Sequence, residues 1–232
     1  MKNTPKIWVI SDTHFNHRGI VKLGERPSSH GEQTLENLKR QVGKDDILIH
    51  LGDVIFASQT ELPRYLDFPC ASKILVRGNH DNQSTFWYLR NGFDAVVDSF
   101  SLKYDGLDIL FTHKPQKDFT GDLNIHGHLH TMSHREEESE WYSLDSPSHY
   151  LFSLEWQGYQ PVSLKRITEL AVAKEVYKEH LTLHRELHHV FEENHRAKKW
   201  AEDNQTPCID HLLSDDSRLR SLPDNAFGKE DE

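Results

Sequence analysis

The chain has 232 residues, enough for one sizeable domain or for a domain with an appendage. Hydrophobic residues make up 36% of the sequence, and because no run of 18 or more apolar residues occurs, no membrane-spanning helix is expected. The net charge of −10 argues only weakly against a nucleic-acid binder, since nine acidic and three basic residues fall in 202–232 and the body is nearer to neutral.

The placement of the cysteines indicates the cellular compartment, and the number of histidines indicates metal-binding chemistry. Cys70 and Cys208 lie far apart and form no disulfide framework, and the first residues lead into a strand-like run without a signal-peptide core. We therefore expect a cytoplasmic protein. The chain also holds 17 histidines, well above ordinary usage, and histidine is the commonest protein ligand of metal ions.

The hydrophobic pattern predicts strands and helices in alternation, followed by a region of mostly strands. In the first half, strands are predicted at 6–11, 47–51 and 73–76, and helices at 31–43, 58–67 and 84–91. In the second half, strands are predicted within 94–112 around the turn Tyr104-Asp105-Gly106, at 122–125 and at 149–156. This order predicts an α/β fold of two packed sheets with helices on the outside.

A long C-terminal helix is predicted after the last strand, because 163–203 contain no glycine or proline and keep a helical spacing of apolar residues. Its histidines His180, His184 and His188 share one face, which favours a polar face or a homo-oligomer interface over a metal site. We divide the chain into a main domain at 1–162, a helical extension at 163–203 and a flexible acidic tail at 204–232.

Five short motifs rich in metal-binding side chains each follow a predicted strand. They are Asp12-Thr13-His14, Gly52-Asp53, Gly78-Asn79-His80-Asp81, His113 and Gly127-His128-Leu129-His130. Because ligands bind outside the carboxyl ends of strands in open α/β sheets, we expect the five motifs to converge on one crevice. Carboxylate, imidazole and amide groups together suit divalent Mn, Fe, Zn, Co or Ni, and the lack of cysteine argues against a structural zinc site.

In this order the motifs resemble the calcineurin-like metallophosphoesterase family, over roughly 6–165, and look closest to its small bacterial and phage members. The resemblance implies two packed mixed β-sheets flanked by helices, and a dinuclear centre that hydrolyses phosphodiesters or phosphomonoesters. It implies that Asp12, His14 and His130 bind one ion, that Asn79, His113 and His128 bind the other, and that Asp53 bridges both. Manganese is the metal we expect first, with Fe, Zn, Ni, Co and Mg as alternatives.

The resemblance also implies a mechanism. A hydroxide between the two ions attacks phosphorus in line, while His80 donates a proton or a hydrogen bond to the leaving oxygen and Asp81 orients His80. The sequence departs from the family pattern once, because many members continue the second motif as Gly-Asp-x-x-Asp and this chain has Phe56 at the last position. The departure puts in doubt the surroundings of the ligands, not the ligands themselves.

The substrate is less closely defined than the site. His17 and Arg77 are predicted to contact substrate, with Arg18 a weaker candidate, whereas His50 and His126 are expected to be buried beside the strands. A nucleotide or another small phosphorylated molecule is favoured, because no basic stripe with aromatic residues indicates a nucleic-acid groove. The alternatives are a DNA or RNA nuclease, a 5′-nucleotidase and a scaffold protein without turnover; a protein phosphatase is disfavoured.

Overall fold

The computed structural model describes residues 4–22, 26–131, 146 and 148–173, all within one unit, Met1–Lys178. The predicted extension beyond residue 173, its three histidines and the acidic tail lie outside the described residues, so the predicted division of the chain stays a prediction. A helix covers 164–173 within the described part. No helix of that part is long and apolar enough to cross a bilayer.

The first sheet has five strands in the order β4-β3-β2-β1-β9. They are β1 (Ile7–Ile10), β2 (Ile47–His50), β3 (Ser72–Val76), β4 (Ala95–Val97) and β9 (Val162–Ser163). The first four are parallel, and β9 joins the outer edge of β1 in the antiparallel direction, which makes the sheet mixed. The central strands are continuous apolar runs, as expected where a parallel sheet is covered on both faces.

The second sheet has four strands in the order β5-β6-β7-β8. They are β5 (Ser99–Tyr104), β6 (Leu107–Thr112), β7 (Leu123–His126) and β8 (His149–Leu151). The first two form the predicted hairpin, whose turn residues Asp105 and Gly106 both have positive φ, the backbone form that suits a two-residue hairpin turn. The pairs β6–β7 and β7–β8 are parallel, so this sheet is also mixed.

The helices lie between the strands in sequence. They are α1 (Arg18–Lys22), α2 (His30–Gln41), a 3₁₀ turn (Gln59–Glu61), α3 (Leu62–Tyr65) and α4 (Thr85–Arg90). In α2 the buried residues Thr34, Leu35 and Leu38 recur at helical spacing, which forms the apolar face that packs on the core. The α4 helix begins at the cap residue Ser84, whose hydroxyl accepts from the Trp87 backbone N–H.

One apolar core joins the two sheets, since Val9 and Ile10 of the first sheet and Phe111 and Ile125 of the second belong to the same buried cluster. The predicted fold of two packed mixed sheets with flanking helices is therefore confirmed. Two local predictions are corrected. The strand predicted at 149–156 ends at Leu151 because the chain then turns over 154–158, and the helix predicted at 58–67 divides into a 3₁₀ turn and α3. The short β9 and α1 were not predicted.

Candidate metal centre

The five motifs meet at the carboxyl ends of β1, β2, β3, β6 and β7, as the sequence predicts. Backbone hydrogen bonds join the loops that carry them. The Asp12 N–H donates to the Gly52 carbonyl at 3.0 Å, and the His14 N–H donates to the Asp53 carbonyl at 3.0 Å. The loops therefore support one another, and side chains far apart in sequence are held at fixed positions.

Left-handed backbone is concentrated at this site. Nine non-glycine residues of the described part have positive φ, and five of them are predicted ligands. The five are Asp12, His14, Asp53, His128 and His130. Because this conformation costs a non-glycine residue on the order of 1 kcal/mol or more, it persists only where surrounding contacts impose it. The observation marks the site independently of any resemblance.

Two groups of side chains lie close enough to hold an ion each. Asp12, His14 and His130 form the first group, and Asp53, His113 and His128 form the second; within each, the ligand atoms lie within 4.8 Å of one another. The amide oxygen of Asn79 extends the second group, since its Oδ1 lies 2.9 Å from His113 Nε2.

Asp53 stands between the two groups. Its Oδ1 accepts from the His80 backbone N–H at 2.8 Å, which fixes the carboxylate. Its Oδ2 is buried, accepts no hydrogen bond in the described structure, and lies 3.6 Å from His14 Nε2 and 3.5 Å from His113 Nε2. Two atoms that bind one ion at about 2.1 Å lie roughly 3–4 Å apart, so these separations fit ions on both sides of Oδ2.

Asp12 repeats the same arrangement in the first group. Its Oδ2 accepts from the His128 backbone N–H at 2.9 Å and from the Ser11 hydroxyl. Its Oδ1 is buried and accepts no hydrogen bond in the described structure, and it lies 3.8 Å from His14 Nε2 and 3.7 Å from His130 Nε2. An unpartnered buried carboxylate oxygen is costly unless a cation neutralises it, so the donor set fits a divalent metal.

The ionisation of these groups agrees with a site built for cations. Burial lowers the pKa of His113, but the nearby carboxylates of Asp53 and Asp12 outweigh burial and raise that pKa to about 9. Without metal, His113 is therefore protonated near neutral pH, and a divalent ion that bound there would displace this proton. Burial holds the pKa of His14 well below its usual value, so that ring stays neutral and able to bind metal.

Two glycines allow the loops to approach so closely. A Cβ on Gly78 would collide with Asp53, both at its backbone nitrogen and at Oδ1. A Cβ on Gly127 would collide with the Ser11 hydroxyl and with Asp12 Oδ2. The glycines of the third and fifth motifs are thus required by the contacts of the two carboxylates.

The sequence profile of the calcineurin-like phosphoesterases matches residues 5–215. This chain belongs to that family. The sequence is 30% identical over 176 residues to an uncharacterised protein of Methanocaldococcus jannaschii, covering 71% of this chain and 90% of that protein. The solved structure of a protein of unknown function from Aquifex aeolicus superposes with a TM-score of 0.58 at 28% identity, covering 72% of this chain and all of that one.

A further solved structure is described as a novel archaeal phosphodiesterase; it has a TM-score of 0.37 and 21% identity, and covers 53% of this chain and 72% of that one. As a calcineurin-like phosphoesterase, this protein is a metal-dependent hydrolase of phosphoric esters. The two groups of candidate ligands agree with the dinuclear metal dependence of the family.

His80 and Asp81 lie beside the two groups but differ in their contacts. The His80 ring is half-buried, and its centroid is 5.7 Å from that of His14. The Asp81 carboxylate is buried and accepts from the backbone N–H groups of Asp53, Val54 and Gly78 at 2.8–3.1 Å. The expected contact of Asp81 with the His80 ring is therefore replaced by a clamp on the backbone of two metal-binding loops.

The predicted substrate-binding residues have different surroundings. The ring of His17 is half-buried and its centroid lies 5.4 Å from that of His14. The guanidinium of Arg77 donates to the carbonyls of Asp81 and Gln83 and to the Thr85 hydroxyl, so it braces the loop after the third motif. Arg18 is exposed at the start of α1.

His50 and His126 are buried, as predicted. Burial lowers the pKa of both to about 3, so both rings stay neutral. His50 also connects two metal-binding loops, because its Nδ1 accepts from the Gly52 N–H at 3.1 Å and its Nε2 lies 3.0 Å from the Thr13 hydroxyl.

Arg26 and Glu155 are buried or nearly so, and the sequence did not single them out. The Arg26 guanidinium is 2.7 Å from Glu155 Oε1 and donates to the carbonyls of Asp12 and Thr13. Glu155 Oε1 also lies 3.2 Å from His130 Nδ1. Burial opposes the ionisation of Glu155, but His130 and Arg26 outweigh it and hold the pKa of that carboxyl far below its usual value.

This network orients a predicted ligand. Glu155 Oε1 and Arg26 Nη2 both lie 3.2 Å from His130 Nδ1, and together they hold the ring with its Nε2 on the side of Asp12 Oδ1, much as carboxylates orient histidine ligands in other metal sites. The one signal in the sequence was the charge of Glu155 within the apolar run 149–156. Arg26 carried no such signal, because its partner in the chain is 129 residues away.

Glu155→Gln is expected to weaken metal binding by about 10–100-fold, because the neutral amide orients His130 less well and leaves the Arg26 charge uncompensated. Isothermal titration with Mn²⁺ measures the affinity, and thermal unfolding in EDTA checks that the variant is folded. Glu61→Gln, at an exposed residue outside the network, serves as the matched control. A folded Glu155→Gln protein with unchanged metal affinity would contradict the role of Glu155.

Proposed function

We propose that this phosphoesterase holds two divalent metal ions and hydrolyses phosphate esters of nucleotides or of similar small molecules. Asp12, His14 and His130 hold one ion, and Asn79, His113 and His128 hold the other, with Asp53 as the bridge. The observation that carries the proposal is the position of Asp53 Oδ2, which is buried, accepts no hydrogen bond in the described structure, and lies within 3.6 Å of a histidine nitrogen of each group.

When bound, the two ions supply Lewis acidity to the phosphoryl oxygens and lower the pKa of a water held between them. The mixed carboxylate, imidazole and amide ligands support Mn²⁺ as the first choice, with Fe, Zn, Ni, Co and Mg as alternatives. In the chain itself, the backbone N–H groups of His80 and His128 fix the carboxylates of Asp53 and Asp12 by donating to the other oxygen of each.

His80 is the residue that handles the leaving group in this proposal. Its backbone N–H is held by Asp53, which places the ring beside the bridging carboxylate, and the ring remains half-exposed to an incoming substrate. A proton or hydrogen bond from the ring offsets the charge that develops on the leaving oxygen. Asp81 keeps this geometry by clamping the loops, and no residue has to form a covalent intermediate with phosphorus.

A small substrate is supported by the size of the cavities next to the two groups. A pocket of about 410 Å³ is lined by Asn79 and His113 of the second group together with Lys114. A pocket of about 650 Å³ is lined by His17, close to the first group. Both volumes are in the range of about 300–1,000 Å³ that holds small molecules.

The function is tested first by removing the metal. The protein as purified with Mn²⁺ is expected to hydrolyse bis-p-nitrophenyl phosphate or p-nitrophenyl phosphate, to lose at least about 99% of this activity after EDTA and dialysis, and to regain it with Mn²⁺. Release of p-nitrophenolate is the measurement. A protein that binds two equivalents of Mn²⁺ and hydrolyses neither ester would contradict the proposed activity.

The substrate class is tested by a panel measured with Mn²⁺ and analysed by chromatography. We expect hydrolysis of mononucleotides or cyclic nucleotides at a higher kcat/KM than cleavage of single- or double-stranded DNA. The reverse order would replace the small-molecule assignment by a nuclease, while leaving the metal chemistry of the site in place.

A further inference from the structure

An exposed aromatic side chain lies at the rim of the metal centre. Phe56 is 44% exposed, in contrast to the fully buried apolar residues Val54 and Ile55 that precede it. It stands at the position where many family members carry an aspartate, three residues after the bridging Asp53. A polar position of the family pattern has thus become an apolar surface beside the chemistry.

Phe56 forms a cluster with two histidines of the site. Its ring centroid lies 3.9 Å from that of His17, at an interplanar angle of 37°. The ring centroid of His80 lies 5.3 Å from that of Phe56, in an edge-on arrangement. His17 in turn lies 5.4 Å from the predicted ligand His14, so the cluster reaches from the metal ligands to the surface.

The backbone holds both rings of this rim in place. The Phe56 N–H donates to the Phe15 carbonyl at 3.0 Å, next to an isolated parallel β-bridge between Phe15 and Ile55. His17 Nδ1 accepts from the Ile20 N–H at 3.0 Å, which leaves Nε2 as the protonated nitrogen of the neutral ring.

The surroundings of the rim leave room for a ligand. His17 and the residues Ala57 and Ser58, which follow Phe56 directly, line the pocket of about 650 Å³. The pocket also holds both signs of charge, with Arg18 and Lys22 opposed by Glu32 and Glu61. With two cations balanced by two anions, this lining has no excess positive charge for a second phosphate and can accept a neutral group with polar edges.

We propose that Phe56 and His17 form a stacking subsite for an aromatic ring in the leaving group of the substrate, of which a nucleobase is the natural example. The inference deepens the proposed function and rests on it. We place the aromatic ring in the leaving group because the His80 side chain, which faces the leaving oxygen in the proposed mechanism, contacts Phe56. An aromatic face stacks on any nucleobase, so the subsite favours nucleotides as a class and not one base.

Binding of two phosphonates to the Mn²⁺-loaded protein tests the subsite without turnover. Benzylphosphonate carries an aromatic ring and methylphosphonate does not, and neither has a hydrolysable ester. Isothermal titration is expected to show benzylphosphonate binding about tenfold more tightly, since stacking on an aromatic side chain is worth about 1–3 kcal/mol. Phe56→Ala is expected to remove this preference and to leave the affinity for methylphosphonate unchanged.

Phe56→Leu separates stacking from apolar contact, and we expect it to lose most of the preference as well. Phe86→Ala, at a phenylalanine of α4 that is 66% exposed and absent from the cluster, is the matched control and should change neither affinity. Equal affinities for the two phosphonates in the unaltered protein, or equal losses in Phe56→Ala, would overturn the subsite while leaving the proposed function in place. Failure to bind either phosphonate would count against the proposed function itself.

Discussion

Asp53→Asn is expected to abolish metal binding and activity together. The carboxylate is the only group of the described site that lies between both ligand sets, so the amide removes a negative charge from both ions at once. Mutation of a residue that only orients a metal ligand typically lowers the metal affinity about 10–100-fold. For the bridging carboxylate itself we expect the affinity to fall by more than about 100-fold. Titration with Mn²⁺ and hydrolysis of bis-p-nitrophenyl phosphate measure the two effects.

The Asp53→Asn variant should still fold, because the amide oxygen can keep the hydrogen bond to the His80 backbone N–H. Thermal unfolding in EDTA checks this point. Asp45→Asn, at an exposed aspartate paired only with its neighbour Lys44, is the matched control and should bind metal normally. Two tightly bound Mn²⁺ ions in folded Asp53→Asn would contradict the assignment of Asp53 as the bridge.

His80→Ala is expected to separate metal binding from turnover. The His80 ring belongs to neither ligand group, so the variant should bind two Mn²⁺ ions with nearly unchanged affinity. Loss of a proton donor at the leaving oxygen should lower kcat by about 10²–10⁴-fold. Metal titration and steady-state kinetics on the same preparation give both numbers.

The leaving group provides the readout that a purely structural role of His80 would not affect. A p-nitrophenolate needs less protonation than an alkoxide, so His80→Ala should lose less activity on p-nitrophenyl phosphate than on a nucleoside monophosphate. Equal losses on the two substrates would assign His80 to substrate positioning. A fully active His80→Ala protein would contradict any role of His80 in the reaction.

The order of elements was predictable because it rests on local patterns. Continuous apolar runs predicted β1, β2 and β3, and the Tyr104-Asp105-Gly106 turn predicted the β5–β6 hairpin. The strand predicted at 149–156 was too long because Phe152 and Leu154 are buried beyond the end of β8, where the chain turns over 154–158. The two-residue strand β9 was missed because so short a segment shows no hydrophobic periodicity from which a strand could be predicted.

The environment of the metal centre was less predictable than the residues that bear its chemistry. Asp81 was expected beside the His80 ring, but its carboxylate accepts three backbone N–H groups from two loops. Every residue except proline has a backbone N–H, so the sequence does not show which of these groups a carboxylate accepts from, and no spacing rule predicts this clamp. Phe56 was recognised only as a departure from the family pattern, and its place against His17 became visible in the fold.

The sequence by itself determined the family, the two-sheet architecture and the residue types that can bind metal, because ligand chemistry is carried by side chains that follow strand ends in a fixed order. Only the tertiary structure decided which oxygen of Asp53 faces both ligand groups, and that Arg26 and Glu155 support His130 across 129 residues of chain. The physical reason is that composition and periodicity report local conformation, whereas these contacts depend on distances between segments that meet only when the sheets pack.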